Sequence, residues 1–202
     1  MKEQIINEAM RILDKYNGFA RTKDFINEGV SPYYIKKLES IGEIERVKQG
    51  VYRHNRQVDQ PLTELIEVSK LVPKGVICLL SALSYYELTT YNPWEYQIAI
   101  HREAKKPRLP DHPPIRIMYF ADAQFQVGVE EICINETMVK IFNREKTICD
   151  IIRYREKLGT DLMKEGLRNY LTSSSKNITK LVSYADQLRI RTVLEKYLEV
   201  LI

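Results

Sequence analysis

Tyr33, Lys36, Lys37 and Ser40 fall on one helical face of the segment SPYYIKKLESIG, and their chemistry suits a polyanion. An ammonium group meets phosphate oxygens or guanine edges, and a tyrosine reaches a phosphate or a thymine methyl. At about 100° per residue, Tyr34, Ile35, Leu38 and Ile41 fall on the opposite, inward side. Downstream, EIERVKQGVYR gathers Arg46, Lys48, Gln49 and Arg53 around a tight tip, as a wing on a minor groove requires. Upstream, Arg21, Thr22 and Lys23 open another helix, whose N-terminal N–H groups and dipole favour a phosphate. The alternative stays open: such a module can also grip a protein, and lysines on an exposed helix face are commonly just solvated.

Three helices and a hairpin must position these side chains. Ile5, Ile6, Ala9, Ile12 and Leu13 recur at helical spacing, and Asn17-Gly18 ends that first helix. Thr22 is the expected N-cap of the second helix, with Phe25 and Ile26 inward. Ser31-Pro32 opens the third, where proline's missing N–H costs nothing, and Gly42 closes it. Gly50 then turns a two-stranded hairpin. The polar stretch HNRQVDQP, 54 to 61, marks the expected boundary between domains at 1–56 and 57–202.

Beyond it the pattern is mixed. Leu62 to Val72 reads as a helix, and Val76 to Leu79 as an apolar run entering a helix at Ser81. Tyr96 to Ile100, Ile115 to Phe120, Phe125 to Ile134 and Thr137 to Phe142 read as strands. From Arg144 the chain is helical, with breaks near Gly159 and Ser173 to Ser175. The expected fold class is therefore α+β: an N-terminal winged helix-turn-helix, then a mixed α/β domain with a helical C-terminal end.

The second part holds two further basic groups. Arg102, Lys105, Lys106 and Arg108 lie in a proline-rich loop and offer a second phosphate-binding surface, or an ordinary solvated loop. Arg144 and Lys146 belong to the run Arg144, Lys146, Thr147, Asp150. There Lys146 and Asp150 can pair at i, i+4, so capping and exposed ion pairing compete with a nucleic-acid contact.

The 202 residues carry a net charge of +4, which permits a polyanionic partner without demanding one. Residues 1–56 hold 11 Lys/Arg against 8 Asp/Glu, a modest positive field. No apolar run is long enough to span a membrane, and no signal peptide is evident. Cys78, Cys133 and Cys149 lack metal-ligand spacing and read as reduced, mostly buried thiols of a cytosolic protein. Enzyme chemistry finds no constellation. Leu79-Leu80-Ser81-Ala82 lacks the glycine and acid pair of a nucleotidyltransferase. Asp111 lacks the acid-x-Lys that a nuclease needs, since the later strand reads Met138-Val139-Lys140. No P-loop is present. Neither an enzyme, a cofactor nor a metal is expected.

The order G-F-A-R-T-K-D-F, G-V-S-P-Y-Y-I-K-K-L, G-E-I-E-R-V-K-Q-G-V-Y-R resembles the N-terminal domain of the AbiEi family. The matching pieces are Arg21-Thr22, Leu38 to Gly42 and Arg46 to Tyr52. VICLLSALSYYELT and IFNREKTICDIIRYREKLG extend the resemblance over most of the chain, with Arg144, Lys146, Thr147 and Asp150 in an R-x-K-T-x-x-D pattern. The family comprises antitoxins of type IV toxin–antitoxin systems and related transcriptional regulators. The resemblance implies a cytoplasmic prokaryotic autorepressor that binds inverted repeats of promoter DNA. It implies a C-terminal domain that opposes a nucleotidyltransferase-like toxin without a stable complex.

Overall fold

The computed structural model describes residues 2–16, 18–55 and 61–201. Packing divides the chain into two units. The first is Met1–Pro73 with Pro107–Pro113 and Ile132–Val139; the second is Lys74–Lys106 with Pro114–Glu131 and Lys140–Ile202. Residues 17 and 56–60, which hold part of the expected first-helix end and of the expected boundary, lie outside the described residues.

The first unit runs α1 (Lys2–Lys15), β1 (Phe19–Arg21), α2 (Thr22–Asn27), α3 (Pro32–Ser40), β2 (Ile44–Lys48), β3 (Val51–His54) and α4 (Pro61–Leu71). The expected helices and hairpin are present. The strands form an antiparallel sheet in the order β1-β3-β2. Strand β1 is the addition, pairing Phe19 with Arg53 and Arg21 with Val51. Three residues are too few for an alternation pattern to announce it. Ala9, Ile12, Leu13, Phe25, Ile35 and Leu38 meet in one core with Ala20, Ile44 and Tyr52 of the sheet. The Phe25 and Tyr52 rings cross edge-on at 6.0 Å.

Three local expectations are corrected. Arg21, not Thr22, is the N-cap of α2, and its N–H donates to Asp24 Oδ2 at 2.8 Å. Ile26 is 49% exposed, because a six-residue helix that buries Phe25 turns the next side chain about 100° away. Ile41 is 48% exposed because α3 ends at Ser40, so the helical phase no longer applies.

Helix α4 packs within this first unit rather than beginning the second. Its residues supply polar ties as well as apolar ones. Lys70 Nζ donates to the carbonyls of Tyr16 and Phe19, at the turn between α1 and β1. Lys48 of the hairpin donates in return to the carbonyl of Leu71, at the end of α4. The sequence carried no signal for these ties, since a lysine at position 70 reads as a solvated helix residue.

The remaining elements, most of them in the second unit, are β4 (Val76–Ile77), α5 (Leu79–Tyr85), β5 (Tyr96–His101), β6 (Ile115–Phe120), α6 (Asp122–Gln126) and β7 (Val129–Ile134). These are followed by β8 (Thr137–Phe142), α7 (Arg144–Arg153), α8 (Arg155–Leu158), α9 (Thr160–Thr172), α10 (Ile178–Gln187) and α11 (Arg191–Leu201). The sheet is mixed, in the order β6-β5-β4-β8-β7. Strand β4 runs antiparallel to β5 and parallel to β8, and β5 runs parallel to β6. Phe125, expected in a strand, lies in the short helix α6, and the following strand starts only at Val129. Gly128, at φ +73°, makes the turn between them. It also passes so close to α7 that a Cβ there would meet Lys146 Cβ at 2.5 Å.

Helix α7 is the centre of this unit. Ile148, Ile151 and Ile152 are fully buried against α9 and α10 residues including Leu167 and Leu181. Its polar residues are buried as well. Lys146 and Asp150, expected as an exposed pair, form a fully buried salt bridge. The ammonium lies 4.0 Å from the centroid of Phe142 and 5.0 Å from that of Phe120. Asn143 caps the helix by accepting the Lys146 N–H at 3.0 Å. Burial pushes the Asp150 carboxyl above its ordinary value, and Lys146 pulls against that shift.

A buried pair is vulnerable to loss of one partner more than to loss of both. Lys146→Met is expected to cost about 3–5 kcal/mol in urea unfolding. The double substitution Lys146→Met with Asp150→Leu should recover most of it. Equal loss in the single and double variants would show that the pair is not what couples these positions.

Candidate nucleic-acid interface

The N-terminal pieces assemble into one constellation. On α3, Tyr33 is 67% exposed and Lys36 is exposed, while Ile35 and Leu38 of the same helix are buried. Lys37 is half-buried, its Nζ 5.9 Å from the centroid of the Tyr33 ring. Ser40 is exposed, but its hydroxyl donates to the Lys37 carbonyl at 2.8 Å, which leaves it as an acceptor. Tyr33 and Lys36 are therefore the side chains of this face with most freedom to reach a groove.

The wing tip is tied to the start of α2. The Thr22 N–H donates to the Gly50 carbonyl at 3.0 Å. A glycine is needed at this turn, where φ is +77° and a Cβ would touch Thr22 Oγ1 at 3.4 Å. Thr22 thus holds the wing instead of offering its amide to a phosphate. Arg21 and Gln49 flank this junction, Arg21 half-buried and Gln49 exposed, and Lys23 and Arg46 are exposed beside it in sequence. A register shift between Arg46 and Lys48 bends the hairpin just before the tip.

Two of the expected wing cations have partners within the unit. Lys48 is half-buried and donates to Leu71. Burial, then the nearby Arg21 charge, lowers its ammonium below the ordinary value. Arg53 donates from Nε to Glu45 Oε2 at 2.9 Å, and its Nη1 lies 3.5 Å from Glu67 Oε1. Glu67 and Lys70, which sequence reasoning did not single out, are buried residues of α4 that meet this surface. Burial pushes the Glu67 carboxyl up to about 7, with Arg53 opposing and Glu64 and Glu45 adding to the rise. Burial lowers Lys70 to about 8, opposed by Asp24 and assisted by Arg21.

In the second part of the chain, Arg102, Lys105, Lys106 and Arg108 are all exposed. Arg144 is half-buried, its guanidinium 4.5 Å over the Tyr86 ring. Lys146 has no exposed surface, so it does not belong to a second basic surface. Of the thiols, Cys78 and Cys149 are buried and Cys133 is exposed. No helix among the described residues is long and apolar enough to cross a membrane.

The order helix–strand–helix–helix–strand–strand, with a three-stranded antiparallel sheet, defines the first unit's module as a winged helix-turn-helix. Residues 7–53 match the family described as transcriptional regulator, AbiEi antitoxin. The fold of the chain is similar to the crystal structure of the RV2827C protein from Mycobacterium tuberculosis. The two are 13% identical with a TM-score of 0.50, covering 97% of this chain and 81% of that one. At that identity the likeness speaks to fold alone. None of the curated proteins matches the chain significantly.

The acid at 67 makes stability depend on pH. Its folded pKa lies above the unfolded value of 4.5, so its contribution is fully present below that value and is lost as pH rises through about 7. The melting temperature of the native protein should therefore fall more between pH 5 and pH 7.5, both approximate, than that of Glu67→Gln. Parallel curves for the two proteins would rule out this assignment.

Proposed function

We propose that the protein is the antitoxin of a type IV toxin–antitoxin system and represses its own operon by binding promoter DNA. In this reading α3 enters the major groove, with Tyr33 and Lys36 nearest the bases and Lys37 behind them. Arg21 and Lys23 meet the backbone at the start of α2, and Arg46 and Gln49 meet it through the wing. The observation that carries the reading is the exposed Tyr33–Lys36 face of α3 beside a wing whose tip is fastened to α2. The regulator family over residues 7–53 supports it. Inverted repeats in the operator would present paired half-sites to two copies. The second unit would oppose a nucleotidyltransferase-like toxin without a lasting complex, and the exposed Arg102, Lys105, Lys106 and Arg108 could add phosphate contacts.

One observation favours a second reading, in which the module grips a protein. An apolar groove of about 150 Å³ lies between α1 and α3, lined by Ile5, Ile6, Tyr33, Tyr34, Lys37, Leu38 and Ile41.

Gel-shift titration with the upstream promoter separates the two. DNA binding through Arg21, Lys23, Lys36 and Arg46 gives a log–log salt slope of about −3 to −4. Lys36→Ala should weaken binding by about 1–3 kcal/mol if it reaches a guanine, and should flatten the slope by about 1 if it meets a phosphate. Equal affinity for the promoter and for random duplex would overturn the repressor reading.

A further inference from the structure

The loop after α5 displays aromatic side chains on a fixed support. Glu165 of α9 accepts from Thr90 N at 2.7 Å, from Thr90 Oγ1 at 2.9 Å and from Thr89 Oγ1 at 3.0 Å. Asn169, one turn along α9, donates to the Leu88 carbonyl at 3.0 Å. Thr89 Oγ1 in turn accepts from the Tyr91 N–H at 3.0 Å. These bonds hold the backbone while Tyr91 stays 42% exposed and Trp94 70% exposed. A large aromatic pair on a pre-organised loop gains contact area at little entropic cost, which is the make-up of a binding anchor. Glu87, exposed at the head of the loop, has no cation paired with it among the described residues. Glu95 at its far end is already paired with Arg116 at 2.7 Å.

The complementary chemistry lies elsewhere on the same chain. Residues 105–110 read Lys-Lys-Pro-Arg-Leu-Pro. Lys105, Lys106 and Arg108 are exposed and have no carboxylate within pairing distance among the described residues. The segment has no regular secondary structure, and its prolines, both half-buried, stand three apart. That spacing favours an extended left-handed helix, which docks on aromatic surfaces, and flanking cations seek an acid beside them. A lysine or arginine also gains from the face of a tryptophan.

We propose that residues 105–110 of one copy dock on the Tyr91–Trp94 loop of a second copy, with Glu87 receiving the flanking cations. Each copy carries both halves, so a twofold arrangement makes the contact twice and closes on a dimer. A second copy is favoured over a foreign protein because both surfaces belong to this chain, and the cations of one and Glu87 of the other are complementary charges left unpaired among the described residues.

Trp94 is the single tryptophan of the sequence, so its emission reports on this loop alone. The full chain is followed by sedimentation velocity and tryptophan fluorescence over a wide concentration range. A reductant excludes crosslinking through the exposed Cys133. Dimerisation is expected as concentration rises, with the emission of Trp94 moving to shorter wavelength. Trp94→Ala, followed by sedimentation alone, and Pro107→Ala with Pro110→Ala should each weaken association about tenfold or more. Their far-ultraviolet circular dichroism should stay unchanged. Glu87→Lys should weaken association too, and Lys105→Glu with Lys106→Glu should restore it when combined with that change. A protein that stays monomeric throughout overturns the proposal. So does a dimer that is indifferent to Trp94→Ala. A synthetic peptide of residues 101–114 that shifts the emission of a persistently monomeric protein also overturns it, and points to a proline-rich foreign partner.

Discussion

A carbonyl at the end of a helix or in a tight turn needs a donor, and in the first unit two lysine side chains supply it. Lys70 reaches from α4 to the carbonyls of Tyr16 and Phe19, while Lys48 reaches from the hairpin to the end of α4. Helix α4 thus holds the turn that leads into β1 and is itself held by the hairpin. The geometry of the proposed DNA-reading face depends on this. The wing tip meets α2 through Thr22 and Gly50, α2 packs against α3 through the shared core, and α3 carries Tyr33 and Lys36.

The sequence announced the module's skeleton because its signals are local. Gly50 sits where the turn needs a positive φ, Ser31-Pro32 opens α3, and Ile35 and Leu38 keep helical spacing. It did not announce what depends on distant partners. Strand β1 exists because Ala20 pairs with Tyr52, thirty-two positions on. Phe125 lies in a helix where the sequence reads as strand, because an apolar residue near a strand fits either element and the turn at Gly128 separates the two. Among candidate contact residues, charge alone could not separate Lys36, which is exposed, from Lys48, which is half-buried and bonded to a backbone carbonyl. Their residue types are identical, and only the position of α4 distinguishes them.

The same ambiguity shaped the second unit. The run Arg144, Lys146, Thr147, Asp150 suggested either a surface pair or a contact site, and the structure makes most of it interior. The i, i+4 spacing was correct, but spacing does not reveal which face of a helix is covered. Glu145 illustrates how far the covering extends: it accepts from Tyr170 at 3.0 Å and lies 3.5 Å from Lys180, linking α7 to α9 and α10. With this polar row enclosed, α7 reads as a keystone of the helical layer.

Arg53 sits between Glu45 and Glu67, so a phosphate that wanted this arginine would have to compete with two carboxylates already in place. Such a side chain cannot be tuned for affinity alone. Substitutions that free it for a ligand strip a buried acid of its counter-charge and loosen the hairpin, whereas substitutions that secure it keep it from the ligand. Variants selected for tighter binding should therefore accumulate changes on α3 and the wing tip, where grip and cohesion draw on different residues, and leave position 53 alone.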